Sequence, residues 1–174
     1  MKLIPNGCKR NDVVMTPEYL TKQIIEYFKP TGKMLEPCKG SGNFLKYMKD
    51  SDWCEITEGK DFFEYNKDVD WIITNPPYSI LRKFLQKSMQ ISNNIVFLIP
   101  WNHICLTARL RDIREAGFGI KEIILTSYPD NFPKMGFAMS IVHLKKGYKG
   151  NIKFKNDLKF NSPNLIKTQE IKDE

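Results

Sequence analysis

Residues 69–78 read VDWIITNPPY, and this stretch decides the fold because an apolar run is cut short by an asparagine and two prolines. The β-rich composition of 69–74 predicts a strand. Proline cannot donate a ladder hydrogen bond or sit deep inside a helix, so the strand is predicted to end before Asn75. Ligands of α/β proteins bind at the carboxyl ends of strands. The position of the Asn-Pro-Pro-Tyr turn therefore favours a functional role over a merely rigid capped loop.

A second turn of the same kind lies upstream, in residues 33–44, KMLEPCKGSGNF. A short strand is predicted to end at Glu36, whose carboxylate could pair with an ammonium group or accept hydrogen bonds through water. Gly40 and Gly42 have no Cβ, so the backbone can turn sharply and approach a ligand closely. Backbone N–H groups at the start of a following helix would face that ligand.

The spacing around this turn disfavours a dinucleotide site. The third glycine of the dinucleotide fingerprint is replaced by Leu45. The fingerprint also expects an acid about 20 residues further on, whereas Glu55 and Glu58 come earlier.

Strand-like and helix-like segments alternate along the chain, which predicts an α/β fold with a largely parallel sheet. Helices are predicted over residues 16–28, 43–49, 79–89 and 106–116. Strands are predicted over residues 33–36, 53–57, 69–74, 95–99, 120–125 and 138–144, with one possible short strand at 151–155. The turn-rich segment 127–136 is consistent with an antiparallel return. Few residues separate Gly42 from Asn75, so the usual crossover helix is expected to be missing there.

The chain has 174 residues, 41% of them hydrophobic, and a net charge of +7. These values fit one folded domain, predicted over residues 1–147, followed by a short basic C-terminal tail over 148–174. Disorder is excluded by the aromatic content, and no apolar run approaches the ~18 residues of a membrane span. No signal-peptide core is present at the N-terminus. We therefore expect a cytoplasmic protein without a membrane partner.

Four cysteines and two histidines are too widely spaced for a zinc site or a disulfide framework, so no metal is predicted. The excess positive charge lies at the two ends of the chain, while the middle is nearly neutral. Such ends suit a polyanion, although they could simply maintain solubility. On the first interpretation, phosphates would be held by Lys145, Lys146, Lys149, Lys153 and Lys155.

The two turns, together with Thr16-Pro17 ahead of an amphipathic helix, resemble the S-adenosylmethionine-dependent amino-methyltransferases, above all the DNA adenine-N6 enzymes. The cofactor turn precedes the Asn-Pro-Pro-Tyr turn, as in the gamma-type enzymes, and the resemblance covers roughly residues 14–145. It implies a Rossmann-like class I methyltransferase fold, with a mostly parallel central sheet, helices on both faces and a final antiparallel strand. It also implies S-adenosylmethionine as cofactor and DNA as partner, in a bacterial or phage-infected cell.

The resemblance assigns residue roles. Thr16 would contact the methionine carboxylate of the cofactor, Glu55 the ribose hydroxyls, and Asp61 with Phe62 the adenine. The methionine end would be lined by Glu36, Pro37, Cys38, Gly40, Gly42 and Asn75. The catalytic turn comprises Asn75, Pro76, Pro77 and Tyr78, and the target base would lie between Tyr78 and Phe132. Plain structural roles remain open for Glu55, Phe62 and Phe132.

The implied chemistry explains the residue types of the catalytic turn. The lone pair of an exocyclic amino nitrogen is delocalised into its ring, so the nitrogen is a poor nucleophile. The side-chain carbonyl of Asn75 and the backbone carbonyl of Pro76 can each accept one N–H and favour a pyramidal nitrogen. Transfer then proceeds in line without a covalent intermediate, and positioning with electrostatics supplies most of the acceleration. A duplex base must first be flipped out or unpaired.

Several alternatives stay open. RNA adenine or a protein glutamine amide could be the acceptor, and a non-catalytic nucleic-acid-binding subunit could use the same scaffold. Few residues follow 144, so no separate target-recognition domain is expected. Sequence specificity would then be slight, be supplied by a partner subunit, or arise from the basic ends and the loops at 100–107 and 127–136. The biological role, whether restriction-modification, evasion of phage defence or regulatory marking, is not indicated by the sequence.

Overall fold

A seven-stranded sheet forms the centre of the computed structural model, which describes residues 14–129, 132 and 137–156. The strands are β1 (Met34–Glu36), β2 (Asp52–Trp53), β3 (Val69–Thr74), β4 (Ser92–Pro100), β5 (Phe118–Thr126), β6 (Met139–Lys146) and β7 (Lys153–Asn156). Their spatial order is β2-β1-β3-β4-β6-β5-β7. Only β6 pairs antiparallel, with β4 on one side and β5 on the other. The predicted α/β fold is confirmed, and the antiparallel strand is followed by one more parallel strand at the edge.

Within the described residues, three α-helices cover the two faces of the sheet: α1 (Glu18–Phe28), α2 (Leu81–Ile91) and α3 (Thr107–Glu115). Successive side chains of a strand point to opposite faces. In β3, Ile73 accordingly joins the core cluster that contains Leu20 of α1. Its neighbour Ile72 joins the cluster that contains Leu85 of α2 and Ile113 of α3. This alternation places helices on both faces, as predicted.

The helix predicted over residues 43–49 is wrong, because this segment forms consecutive turns. It lies between Gly42 and Asp50, which both have positive φ, at 78° and 59°. So short a stretch gains too few helical hydrogen bonds to offset nucleation. Phe44 and Met48 are nevertheless buried. The apolar periodicity thus predicted correctly which side chains are buried, but it did not predict the backbone conformation. The expected row of helix N–H groups facing a ligand is therefore not present after the Gly40–Gly42 turn.

The strand predicted over residues 53–57 is also too long. Only Asp52–Trp53 belong to the sheet, and two 3₁₀ turns follow, at Ile56–Glu58 and Phe62–Glu64. The side chain of Glu55 caps the first of them by accepting from the backbone N–H of Thr57. No α-helix lies between β2 and β3, where every residue is described, which confirms the trimmed connection.

The possible strand at residues 151–155 is confirmed as β7, which pairs in parallel with β5. Lys155 forms an ion pair with the buried Glu122 of β5 at 2.9 Å, and the hydroxyl of Tyr27 in α1 donates to Glu122 at 2.7 Å. The first residues of the predicted tail therefore belong to the sheet. All other predicted helices and strands are confirmed with ends displaced by three residues or fewer.

Candidate active site

The two turns singled out in the sequence meet at the carboxyl ends of neighbouring parallel strands, β1 and β3. Glu36, the last residue of β1, is fully buried. Its Oε1 accepts a hydrogen bond from the hydroxyl of Thr74, the last residue of β3, at 2.6 Å, and another from the backbone N–H of Cys38 at 2.9 Å. The carboxyl group of Glu36 therefore connects the turn that contains Gly40 and Gly42 to Thr74, the residue immediately before Asn75.

The second oxygen of Glu36 gives this site its electrostatic character. Oε2 is buried and has no hydrogen-bond partner within the described part of the chain. Burial raises the pKa of Glu36 to about 8, which outweighs the two hydrogen bonds that favour its ionised form. Glu36 is therefore mostly neutral at pH 7. A cationic ligand would favour the ionised form of Glu36 and would give Oε2 a partner.

The glycine turn is attached to the end of β2. The backbone N–H of Gly40 donates to Oε2 of Glu55 at 2.9 Å, while Oε1 of Glu55 accepts from Thr57. Gly40 and Gly42 both have positive φ, at 52° and 78°, which disfavours a side chain at either position. A Cβ on Gly40 would stand 2.8 Å from the sulfur of Met15. Pro37 is buried ahead of this turn. Glu55 lies two residues after β2, at the start of a 3₁₀ turn, and not inside the strand predicted over 53–57.

A short peptide before α1, residues 14–17, connects the two turns. The side-chain amide of Asn43 donates to the backbone carbonyl of Thr16 at 2.8 Å. The side-chain amide of Asn75 donates to the backbone carbonyl of Val14 at 3.1 Å. The buried Thr16 is thus next to the glycine turn. Sequence reasoning missed Val14 and Asn43: Asn43 directly follows the glycine turn and could have been found, whereas Val14 contributes only its backbone.

The orientation of the Asn75 amide follows from these contacts. A backbone carbonyl can only accept, so the amide nitrogen must face Val14 and the oxygen must point away from it. The hydroxyl of Tyr78 donates to that oxygen at 3.1 Å. Asn75 and Pro77 are half-buried and Pro76 is buried, so the turn is fixed by the core. The arrangement provides an acceptor oxygen of defined direction at the end of β3.

The loop after β4 supplies a residue that sequence reasoning missed. The ring of His103 contacts the ring of Tyr78 in an edge-to-face arrangement, with centroids 5.5 Å apart and an interplanar angle of 87°. Arg109 of α3 donates to the backbone carbonyl of His103 and thereby fixes the loop to the helix. The available signal was the position of Pro100, which ends β4 at the same edge of the sheet as Asn75.

Three predicted residues lie in the surroundings of this site. The carboxylate of Asp61 accepts from the backbone N–H of Phe63 at 2.9 Å and caps a 3₁₀ turn. Phe62 is only 3% exposed, and its ring centroid is 4.4 Å from that of Phe84. Phe132 is 5% exposed and packs in the same core cluster as Ile73. The structure favours the packing alternative for both phenylalanines.

Two of the lysines expected to hold phosphates, Lys145 and Lys146, lie at the opposite end of the sheet from Asn75. Because β6 is antiparallel, it begins beside Pro100 and ends with Lys145 opposite Asn94, at the other end of β4. Lys146 pairs with Phe118, the first residue of β5. Lys155 already neutralises Glu122. The strand register, which composition does not reveal, separates this positive charge from the candidate site.

No group of three or more histidine, cysteine, aspartate or glutamate side chains is placed to hold a metal ion within residues 14–129, 132 and 137–156. Among the same residues, no helix has the length and apolar character needed to cross a membrane.

No family model and no curated protein matches this sequence. Solved structures do match in fold. A Pyrococcus horikoshii protein proposed to be an RNA methyltransferase superposes with a TM-score of 0.60 at 16% identity, covering 78% of this chain and 88% of its own. A Listeria monocytogenes protein proposed to be a class I S-adenosylmethionine-dependent methyltransferase gives 0.63 at 14% identity, covering 94% and 72%.

The M protein of the type I restriction enzyme EcoKI gives a TM-score of 0.59 at 16% identity. The match covers 79% of this chain but only 44% of the M protein. At these identities the likeness shows the fold alone, which is the Rossmann-like fold of class I methyltransferases.

Proposed function

We propose that this protein transfers the methyl group of S-adenosylmethionine to the exocyclic N6 amino group of adenine in DNA. The observation that carries the proposal is the Asn75 amide, whose oxygen is directed away from Val14 at the carboxyl end of β3. That end is joined through Thr74 to the buried acid of the glycine turn. The fold of the methyltransferase neighbours supports the same reaction class.

Residues around the glycine turn fit the cofactor. Oε2 of Glu36 is a buried group without a partner in the described chain, and it would receive the ammonium group. The backbone at Gly42 is open to close approach, since a Cβ there would meet nothing within 4 Å. Glu55, two residues after β2, would hold the ribose. When bound, S-adenosylmethionine supplies an electrophilic methyl group on a positively charged sulfur.

The turn after β3 would prepare the acceptor. The side-chain oxygen of Asn75 and the backbone carbonyl of Pro76 each accept one N–H of the target amino group, which restores nucleophilic character to the nitrogen. Oδ1 of Asn75 has two lone pairs, so the hydroxyl of Tyr78 can remain bound while the amino group arrives. The ring of Tyr78 would stack on the target base, which must be flipped out or unpaired.

The choice between DNA and RNA as the substrate depends on other observations than the geometry of the site. The Asn-Pro-Pro-Tyr motif and the likeness to the EcoKI M protein favour adenine in DNA. The likeness to the Pyrococcus horikoshii protein favours RNA as the second candidate. Since the chain spans less than half of the EcoKI M protein, we include a separate specificity subunit in the proposal.

One assay separates these substrates. The purified protein is incubated with S-adenosylmethionine labelled in its methyl group and with DNA, RNA or a glutamine-bearing protein. We expect label in N6-methyladenine of DNA, and none with the Asn75→Ala variant. Label confined to the protein substrate would contradict the proposal, and label confined to RNA would select the second candidate. Nucleic-acid binding without transfer to any substrate would identify a non-catalytic subunit.

A further inference from the structure

Exposed apolar side chains are concentrated at the end of the sheet where the carboxyl ends of β1, β3 and β4 lie, which is where the candidate site is. Of eight large hydrophobic residues that are exposed among the described residues, five lie there, and one of these is Met15 beside Gly40. The other four come from the loop after β4, from the start of α3 and from the approach to β6. We call them the apolar rim: Trp101 (38% exposed), Leu106 (52%), Leu110 (41%) and Phe137 (50%).

The backbone fixes the positions of the apolar rim. The backbone N–H of Trp101 donates to the carbonyl of Ala138 at 3.1 Å, so Trp101 lies alongside the chain that carries Phe137. Leu106 is the N-cap residue of α3 and Leu110 follows four positions later, which places both on one side of the helix. The loop that carries Trp101 also carries His103, whose ring contacts Tyr78. The apolar rim therefore adjoins the proposed target site.

On the exposed side of α3, next to the apolar rim, two arginines outnumber one acid, Glu115. Arg111 and Arg114 of α3 are exposed. The acid between them, Asp112, is occupied by Arg82 at 2.7 Å and by Gln86 at 2.9 Å. Neither α2 nor α3 has an acidic residue in its first turn. Unlike the lysines of β6, these arginines belong to the helix that starts at the candidate site.

Apolar and aromatic surface flanked by arginine suits one class of partner in particular. Bases of a single strand expose their π-faces and stack on aromatic side chains whatever their sequence, while arginine neutralises the phosphates. Bases of an intact duplex are stacked on each other and offer no such face. A flipped target alone would need Tyr78 but would not need four further exposed apolar residues.

We infer that the apolar rim binds the nucleotides flanking the target in an unpaired strand, with Trp101 stacking on a neighbouring base and Arg111 and Arg114 attracting the phosphates. This inference rests on the proposed function and deepens it, because it selects an unpaired strand over intact duplex as the substrate.

The test measures binding apart from transfer. Fluorescence anisotropy compares a labelled single-stranded adenine-containing oligonucleotide with its duplex, and methyl transfer is measured on the same two substrates. We expect the wild-type protein to bind the single strand at least tenfold more tightly, and Trp101→Ala to lose about tenfold or more in affinity for it. Trp101→Phe should restore most of the loss. Phe154→Ala, which removes an aromatic residue 58% exposed on β7, is the matched control and should bind as the wild type does.

Different outcomes identify which statement fails. Equal binding of duplex and single strand, or a Trp101→Ala variant that binds as Phe154→Ala does, overturns the inference while leaving methyl transfer to be judged by its own assay. Loss of strand binding in Trp101→Ala without transfer by the wild-type protein supports the inference and refutes the proposed function. A wild-type dimer that Trp101→Ala converts to a monomer, seen by sedimentation, would assign the apolar rim to a second copy of the chain and would also overturn the inference.

Discussion

Replacing Glu36 by glutamine should change how the stability of this protein depends on pH. Burial raises the pKa of Glu36 from 4.5 to about 8 in the folded protein. Below pH 4.5 the acid is protonated in both the folded and the unfolded chain. Between pH 4.5 and 8 the unfolded chain is ionised at this residue while the folded chain retains the proton, so the free energy of unfolding falls as pH rises. Above pH 8 the effect is constant.

The size of the effect follows from the same two values. The interval from 4.5 to about 8 spans roughly 3.5 pH units, and each unit is worth about 1.4 kcal/mol. Ionisation of Glu36 therefore lowers the free energy of unfolding by about 5 kcal/mol between pH 4.5 and pH 8. Glutamine cannot ionise, and its carbonyl can accept from Thr74 and Cys38 as Oε1 does. The variant should match the wild type within about 1 kcal/mol near pH 5 and exceed its stability increasingly towards pH 8.

Urea denaturation at pH 5, 6, 7 and 8 measures this difference. With an m-value of about 2 kcal/mol per molar, the midpoints of variant and wild type should diverge by about 2 M between the two ends of the range. Glu64→Gln, which neutralises an exposed glutamate, is the control and should run parallel to the wild type. Parallel midpoints for Glu36→Gln as well would show that Glu36 ionises as readily when folded as when unfolded, and would refute the reasoning.

Four further predictions concern the site and the sheet. Asn75→Ala should abolish methyl transfer and leave the affinity for S-adenosylmethionine within a few-fold, as measured by calorimetry; unchanged turnover would remove Asn75 from the mechanism. A bound cation favours the ionised form of Glu36, so the affinity for S-adenosylmethionine should increase with pH up to about 8. Calorimetry at pH 7 in two buffers of different ionisation enthalpy should then detect the release of a proton on binding, and the Glu36→Gln variant should release none. Gly42→Ala should lower the free energy of unfolding by about 1 kcal/mol, since a Cβ would contact nothing within 4 Å and only the positive φ opposes it; a larger loss would indicate a clash. Lys155→Met leaves Glu122 buried without its cation, so we expect a loss of about 2 kcal/mol and faster amide exchange in β7, and unchanged exchange would contradict this role of the ion pair.

The elements best predicted from the sequence are those whose ends are chemically marked. Val69–Thr74 has the predicted bounds because Asn75 and the two prolines stop the strand. The segment after Gly42 was wrongly predicted as a helix because successive turns can bury Phe44 and Met48 as well as a helix can. Apolar spacing indicates which side chains are buried, but it does not determine whether the backbone is helical. That is decided by the residues at the two ends of the segment.

Sequence reasoning singled out residues that end or directly follow a strand, and it missed Val14, Asn43 and His103, which do neither. Glu36 and Asn75 were found because each directly follows or ends a strand. Val14 left no signal because only its carbonyl oxygen is used. The distance of Lys145 from the candidate site could not be predicted, because it depends on strand direction, which composition does not contain.

The peptide that joins the two turns has a consequence for mutagenesis. It engages Asn43 and Asn75 through main-chain oxygens, which every amino acid possesses. An alanine scan of residues 14–17 would therefore be blind to these two contacts, however much they matter. Replacing single amides by esters during chemical ligation, which weakens the acceptor strength of the preceding carbonyl, would reveal them instead.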